Sequence, residues 1–377
     1  MGAGIAQLAL AAGHVVVLHD VDEEALGRAR ARIEDGLRRW AAKRGHGTAE
    51  IGDALGRLRV AYDLDLAAAP ADVVVEAALE ELGLKRRIFR ALDAAAPPST
   101  LLATNTSALS VSAIADGAAA HPERVVGLHF FNPAPVMALV EVVSGARSDP
   151  SAVDRAERFA RDLGKTTVRC IDAPGFIVNR VNRPFTLEAL RMLEAGDASV
   201  TAVDEAIVAA GFPMGPFALM DLVGIDVNHA VARTLWQAFD HAPRFRPSPI
   251  QERLIAAEQL GRKSGQGFYR YDQDGRPTGP AEAFAERTDA AGGAPPAGEI
   301  VERISLAIVN EAYHALGEGV ATAADIDLAL KLGANHPWGP FELAERSGGP
   351  KALLRRLRAL EERHGERFAP AVLLRRR

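Results

Sequence analysis

The sequence lacks the features that suggest a disulfide-linked, membrane-spanning, metal-binding or nucleic-acid-binding protein. It contains one cysteine, Cys170, so no disulfide can form within the chain. We expect Cys170 to be an ordinary core residue and the protein to be located in a reducing cytoplasm. No apolar run reaches the roughly 18 residues of a transmembrane helix. No cysteine–histidine cluster has metal-ligand spacing, so no metal is expected. The net charge of −5 favours no nucleic-acid partner.

The composition is that of a globular chain. Hydrophobic residues make up 48% and charged residues 25% of the 377 residues, which is enough for two or three domains whose cores need no disulfide. The first residues lack the basic region of a signal peptide and are interrupted by glycines. We therefore expect a cytoplasmic protein.

The opening stretch, MGAGIAQLALAAGHVVVLHDVD, is typical of the second half of a dinucleotide-binding βαβ unit. Gly2 precedes an amphipathic helix, Gly13 follows it, and the apolar run Val15–Leu18 is closed by Asp20. Such a unit also has a strand and two more glycines before the helix, and none stands before Met1. We expect a sheet that lacks its first, central strand and leaves the edges of the two neighbours unpaired. A start assigned too late, a trimmed chain and a genuine short form that no longer binds NAD all stay open.

Residues 1–172 are predicted to form an α/β domain with a mostly parallel, doubly wound sheet. Short apolar strands alternate with long helices such as Glu23–Arg44 and Leu82–Ala96, and this alternation is typical of such sheets. The strands are predicted at Val15–Leu18, Asp72–Glu76, Leu101–Thr104, Val125–Phe130 and Leu139–Val143. Ligands of such sheets bind at the carboxyl ends of the strands.

After Pro174 helical periodicity replaces the strand pattern, and the helical part is duplicated. The segment GFIVNR at 175–180 recurs as GEIVER at 298–303, and EALRMLEAG at 188–196 recurs at the same spacing as EAYHALGEG. A shared offset indicates internal duplication. We predict two related all-α domains, 173–271 and 299–377, joined by a Gly/Pro-rich linker at 272–298.

One histidine and one carboxylate stand in adjacent apolar strands. His129 and Glu141 both belong to GLHFFNPAPVMALVEVV at 127–143, where a buried carboxylate is costly unless it is paired. A carboxylate beside an imidazole orients the ring and raises its basicity, as a general base requires. The alternative is a structural ion pair.

Four further positions carry polar groups near the expected site. Asp20 ends the second strand of the nucleotide fold, where an acid accepts from both ribose hydroxyls of NAD; the alternative is the N-cap of the following helix. TNTSALS at 104–110 follows a strand and offers hydroxyls, or caps a helix. Asn179 could reach an interdomain cleft, or be a surface amide. Lys43, beside other basic residues, could hold phosphates, or belong to a solvated face.

Seven segments together resemble the (S)-3-hydroxyacyl-CoA dehydrogenase family over nearly the whole chain. The second helical copy is similar to the bacterial subgroup with tandem C-terminal domains. The segments are MGAGIAQLALAAGH, VVEAALEE, NTSALS, HFFNPAPVMALVEVV, APGFIVNR, GFPMGPFALMDLVG and GRKSGQGFYRY.

The resemblance implies NAD-dependent oxidation of a short-chain or dicarboxylic 3-hydroxyacyl-CoA, such as 3-hydroxybutyryl-CoA or 3-hydroxyadipyl-CoA, in fatty-acid or aromatic catabolism. It implies that His129 takes the hydroxyl proton while hydride leaves for NAD+, and that Glu141 orients it. Ser107 and Asn179 would hold the substrate oxygen and thioester. Cofactor contacts are implied for Gly2, Asp20, Glu80, Lys85 and Asn105, and a CoA contact for Lys43.

Two other classes of function stay open at this level. One is a CoA-independent dehydrogenase of a hydroxy acid or sugar acid, and the other is a truncated, non-catalytic CoA-binding or assembly protein. The second helical copy has Glu302 where the first has Asn179. We therefore predict one active site per chain, in a homodimer or in a monomer whose second copy packs on the first in place of a dimer partner.

Overall fold

The computed structural model describes residues 1–45, 47–118, 120–285 and 295–376. These residues form two compact units, Met1–Phe176 and Ile177–Arg377. The first corresponds to the predicted α/β domain. The second contains both predicted helical copies, which therefore share one compact unit.

The first unit alternates helices and strands as predicted. Its helices are α1 (Gly2–Ala11), α2 (Glu23–Arg44), α3 (Thr48–Gly56), α4 (Leu64–Ala68), α5 (Leu82–Ala95), α6 (Val111–Ala115) and α7 (Pro150–Asp162). Its strands are β1 (Val16–His19), β2 (Leu58–Ala61), β3 (Val73–Glu76), β4 (Leu101–Thr104), β5 (Val125–Phe130), β6 (Leu139–Ser144) and β7 (Thr166–Ile171). The apolar pattern does not predict β2 or β7, because β2 has no buried residue, β7 mixes buried with exposed residues, and neither is a continuous apolar run.

The strands form two sheets in this unit. One has the order β3-β4-β5-β6-β7, with all neighbours parallel except the antiparallel pair β5 and β6. The other is the parallel pair β1 and β2. Within the described residues, β1 and β3 belong to different sheets.

Helix α1 packs on both parts of the first unit. Ile5 and Ala9 join the apolar cluster of the five-stranded sheet. Ala6 and Leu10 join a second cluster with α2 and α3. The contact with α2 is close, since a Cβ built at Gly36 would lie 2.0 Å from the Gln7 side chain. Helix α1 is thereby held firmly beside the sheet.

The second unit is mostly helical. The first copy contains α8 (Val178–Val181), α9 (Arg183–Ala195), α10 (Val200–Ala209), α11 (Pro216–Val223), α12 (Ile225–Ala238), α13 (Pro249–Ala256) and the antiparallel strands β8 (Tyr269–Tyr271) and β9 (Pro277–Pro280). After α14 (Glu282–Ala285), the second copy contains α15 (Ala297–Gly317), α16 (Ala323–Gly333), α17 (Pro340–Arg346), α18 (Gly349–His364) and α19 (Val372–Arg375).

The predicted linker at 272–298 is only partly irregular. Strand β9 pairs with β8, and α14 and the start of α15 also lie inside the predicted range. Residues 286–294 lie outside the described residues. The Gly/Pro-rich composition of the segment favoured a linker, but Gly and Pro are also tolerated in a two-stranded edge pair such as β8 and β9.

The two helical copies pack against each other through α9 and α15. Helix α9 is buried from Arg183 to Leu193 on all its faces, including charged side chains. A helix buried all round has neighbours on every side. Of the helices in the described ranges, none has the length and apolarity needed to cross a membrane.

Candidate active site

The antiparallel register of β5 and β6 places His129 directly opposite Glu141. The His129 Nδ1 atom lies 2.5 Å from Glu141 Oε2, and the two residues are 4% and 0% exposed. The sequence predicted this meeting from two ionisable residues in adjacent apolar strands. Directly opposed residues of antiparallel strands have neighbouring Cβ atoms, so the pairing follows from the register.

The carboxylate fixes which nitrogen of His129 can act as a base. Glu141 accepts the hydrogen bond from Nδ1–H, so the neutral ring keeps its lone pair on Nε2. The ring of Phe131 lies 4.5 Å from that of His129, and the ring of Phe176 lies 5.8 Å away, centroid to centroid. These contacts hold the imidazole in one orientation.

Asn105 supports the strand that carries His129. It follows β4, is buried, and its Oδ1 accepts a hydrogen bond of 2.8 Å from the Phe130 amide. Its amide therefore fixes the carboxyl end of β5 next to the histidine. The structure places Asn105 against Phe130, the residue that follows His129, and its contact with the cofactor stays a prediction.

Glu80 organises the loop that carries Ser107. One oxygen accepts hydrogen bonds from Thr106 Oγ1 at 2.6 Å, from the Ser107 amide at 2.8 Å and from the Ala108 amide at 3.0 Å. Burial raises the pKa of Glu80, but these hydrogen bonds and the Lys85 ammonium lower it by more, so the net pKa is below 4.5. Glu80 is therefore ionised at neutral pH, and Ser107 is half-buried in a fixed turn.

The sequence reading missed Glu76, which ends β3. Its carboxylate accepts from Lys85 Nζ at 2.7 Å and from Thr104 Oγ1 at 2.6 Å. The available signal was a carboxylate closing an apolar strand, which is costly to bury unless it is paired. Lys85 Nζ also lies 3.5 Å from Glu80 Oε2. The Lys85 side chain has no exposed surface and contacts Glu80, so we expect it to position that carboxylate. The cofactor contact that the resemblance implies for Lys85 stays a prediction.

Asp20 is exposed at the end of β1, where an acid can meet a ribose. The alternative role of a helix N-cap is wrong for Asp20. The N-cap of α2 is Asp22, whose side chain accepts from the Glu24 amide, while Asp20 Oδ1 accepts from the Asp22 amide at 3.1 Å. The carboxylate of Asp20 is therefore available at the surface.

The loop between β5 and β6 joins the dyad to the start of α1. Lys165 is buried, and its Nζ donates to the carbonyls of Ala134 at 2.6 Å and Met137 at 2.8 Å. A Cβ built at Gly4 would lie 3.1 Å from Pro135, so the loop packs closely on the first turn of α1. Burial lowers the pKa of Lys165.

Three further candidates lie on helices. Gly2 begins α1, and helix N-termini attract phosphate groups. Lys43 is exposed in the last turn of α2. Asn179 lies half-buried in α8 of the second unit. Among the described residues, no group of His, Cys, Asp and Glu side chains could hold a metal ion.

Comparison with protein families accounts for almost the whole chain. Residues 1–173 match the model of the 3-hydroxyacyl-CoA dehydrogenase NAD binding domain. Residues 175–271 and 298–377 both match the model of the 3-hydroxyacyl-CoA dehydrogenase C-terminal domain, which confirms the duplication. The chain belongs to the 3-hydroxyacyl-CoA dehydrogenase family.

Individual relatives cover the chain to different extents. The 3-hydroxyadipyl-CoA dehydrogenase of Escherichia coli K12 is 38% identical in an alignment that is 455 residues long and covers 100% of this chain and 95% of that protein. The crystal structure of 3-hydroxybutyryl-CoA dehydrogenase from the same species has a TM-score of 0.89 at 36% identity and covers 100% of this chain. The mitochondrial hydroxyacyl-coenzyme A dehydrogenase of Sus scrofa is 41% identical and covers 72% of this chain and 88% of its own length.

Proposed function

We propose that this dehydrogenase oxidises the (S)-3-hydroxyl of a short-chain or dicarboxylic acyl-CoA to the 3-oxo compound with NAD+. The observation that carries the proposal is the buried pair of His129 and Glu141 at 2.5 Å. Two full-length relatives support the substrate class, since their names specify 3-hydroxyadipyl-CoA and 3-hydroxybutyryl-CoA.

The residues of the first unit fit the dinucleotide. Asp20 presents an exposed carboxylate that is not used as a helix cap, so it can accept from both ribose hydroxyls. The first turn of α1 at Gly2 would face the pyrophosphate. Glu80 and Asn105 would line the nicotinamide side. When bound, NAD+ accepts the hydride that leaves C3 of the substrate.

The dyad performs the proton transfer. His129 Nε2 removes the proton of the substrate hydroxyl, and the carboxylate of Glu141 stabilises the imidazolium that results. Ser107 would bind the substrate oxygen, Asn179 the thioester and Lys43 the CoA. One base and one hydride acceptor are sufficient for this oxidation.

One active site per chain is proposed. Glu302 occupies the position that corresponds to Asn179, and its carboxylate accepts from Arg356 Nε at 2.6 Å. The second copy therefore has, in place of an amide that would bind a thioester, a carboxylate that is paired with Arg356. We propose a monomer in which the second copy takes the place of a dimer partner.

The test is NADH formation by the purified protein. We expect turnover of (S)-3-hydroxybutyryl-CoA or 3-hydroxyadipyl-CoA, and none of the (R) enantiomer. Preferred turnover of the free hydroxy acids would instead support a CoA-independent dehydrogenase. Tight acyl-CoA binding without any turnover would support a non-catalytic CoA-binding protein.

A further inference from the structure

Helix α8 carries Asn179 but has only four residues, Val178–Val181. An isolated helix of this length is not stable in water, since helix nucleation is unfavourable and few hydrogen bonds offset it. Asn182 alone separates α8 from α9, so the position of α8 depends on α9 and on the contacts made by residues 178–182. Two contacts from the second helical copy are made by residues that follow Asn179, namely Arg180 and Asn182.

The residue after Asn179 is bound by two carboxylates of the second copy. Arg180 is wholly buried, and its Nε donates to Glu311 Oε1 at 2.7 Å. Its two terminal nitrogens donate to the two oxygens of Glu318, at 2.7 and 2.9 Å. The other oxygen of Glu311 accepts from Arg244 at 2.8 Å, which fixes the orientation of that carboxylate. A bidentate guanidinium pair of this kind defines position and angle together.

The next contact is made by a buried histidine. His336 Nε2 lies 2.8 Å from Asn182 Oδ1, immediately after α8. Burial lowers the pKa of His336 to about 3, so the ring is neutral and Nε2–H donates to the amide oxygen. The ring packs on Phe212 at 4.9 Å and on Phe185 at 5.9 Å.

The second copy has no counterpart of the hydrogen bond between His336 and Asn182 among the described residues. Arg303 corresponds to Arg180 and donates to Glu188, which corresponds to Glu311, and to Asp197. Ser305 corresponds to Asn182, and its buried Oγ has no hydrogen-bond partner in the described part of the chain. Phe212 stands where the second copy has His336.

We propose that the second helical copy positions Asn179 for acyl-CoA binding, through Arg180 held by Glu311 and Glu318 and through Asn182 held by His336. These are positioning residues, because they act on the substrate only through α8. The inference rests on the proposed function for the role of Asn179. It gives the second copy a part in substrate binding beyond that of a packing partner.

The deciding variant is His336→Phe, which copies the residue of the first copy. It keeps an aromatic ring against Phe212 and removes both the bond to Asn182 and a buried Nδ1 that has no partner among the described residues. We expect a melting temperature equal to or above that of the wild type. We expect the KM for acyl-CoA to rise about tenfold, with the KM for NAD+ changed less than about twofold.

Two variants control this result. His336→Gln keeps an N–H donor near Asn182, and we expect it to restore the KM for acyl-CoA to within about threefold of the wild type. Arg356→Gln breaks the ion pair at Glu302, the position corresponding to Asn179, and should leave both KM values unchanged. Glu318→Gln, which loosens the bidentate hold on Arg180, should raise the KM for acyl-CoA as His336→Phe does.

Amide hydrogen exchange of residues 178–182 measures how firmly α8 is held and does not depend on enzyme activity. We expect faster exchange there in His336→Phe, and unchanged exchange in Arg356→Gln. Wild-type exchange in His336→Phe would overturn the proposal, as would a normal KM for acyl-CoA in both His336→Phe and Glu318→Gln. A wild-type protein that turns over no 3-hydroxyacyl-CoA would overturn the proposed function instead, and the exchange measurement would still decide whether α8 is held in this way.

Discussion

Arg180 and Glu311 form a buried ion pair of 2.7 Å between helices that lie 131 residues apart in the chain. The duplication repeats this pair with the roles exchanged, since Arg303 corresponds to Arg180 and donates to Glu188 at 2.9 Å, and Glu188 corresponds to Glu311. Reciprocal contacts of this kind define a two-fold interface between identical surfaces. The two copies therefore meet as the subunits of a symmetric dimer do, within one chain.

Removing one charge from this interface should destabilise the second unit strongly. Glu188 is 2% exposed and accepts from Arg191, Arg303 and Arg367. In Glu188→Gln three guanidinium groups lose their common carboxylate, and we expect a loss of about 3–5 kcal/mol in the free energy of unfolding by urea. The control is Glu299→Gln, an exposed pair with Arg363, for which about 0.5 kcal/mol or less is expected. Equal effects would contradict this account.

The same carboxylate should make stability fall in acid. Burial raises the pKa of Glu188, but Arg191, Arg303 and Arg367 lower it by more, so the net pKa lies below 4.5. A lowered carboxyl pKa stabilises the fold above the unfolded value, and this stability is lost as the pH falls through the folded pKa. Urea unfolding between neutral pH and acid should show this loss in the wild type, and a smaller one in Glu188→Gln.

Loss of the base should affect turnover and leave the fold intact. We expect His129→Gln to lower kcat by about 10²- to 10⁴-fold, the usual contribution of a positioned general base. Glu141→Gln should also lower kcat and change its pH profile, since the amide cannot stabilise the imidazolium. Steady-state kinetics and circular dichroism check both variants. Near-normal rates in both would refute the assignment of the dyad.

The loop between β5 and β6 should link cofactor binding to turnover. Lys165→Met leaves the carbonyls of Ala134 and Met137 without their donor, and we expect a loss of about 1–3 kcal/mol in the free energy of unfolding. Because the loop also packs on Gly4 of α1, the KM for NAD+ should rise and kcat should fall about tenfold. Lys165→Arg, which retains donors, should have the smaller effect. Wild-type kinetics in a folded Lys165→Met protein would contradict this role.

Asp204 should make the second unit less stable as the pH rises. Its oxygens accept from the amides of Phe217 and Ala218 and from Tyr269 Oη, each at 2.9 Å. Burial raises the pKa of Asp204 by more than these bonds lower it, to about 6. A raised carboxyl pKa gives stability that is fully present below the unfolded value of 3.8 and is lost as the pH rises through 6.

The variant Asp204→Asn tests that dependence. The shift is equivalent to about 2–3 kcal/mol between pH 4 and 8. We expect the curve of unfolding free energy against pH to flatten by roughly that amount in Asp204→Asn. An identical slope in the wild type and Asp204→Asn would exclude this carboxyl as the cause.

The sequence predicted the parts of the site that depend on local pattern. Five strands and the two long helices were found within about one residue of their positions, because an apolar run and a helical repeat are properties of neighbouring residues. The pairing of His129 with Glu141 followed from two ionisable residues in adjacent apolar strands, since burying such a group is costly unless it has a partner. The duplication was visible because the two copies keep one spacing.

Other features were decided by contacts between distant segments. The sequence did not connect Glu76 with Lys85, since their pairing depends on how α5 packs behind β3. The sequence also did not identify Glu311, 131 residues away, as the partner of Arg180, because any of several acidic residues could have paired with it. A local pattern indicates which side chains are buried. The partner that compensates the desolvation of a buried charge is determined only when separate helices and strands pack together.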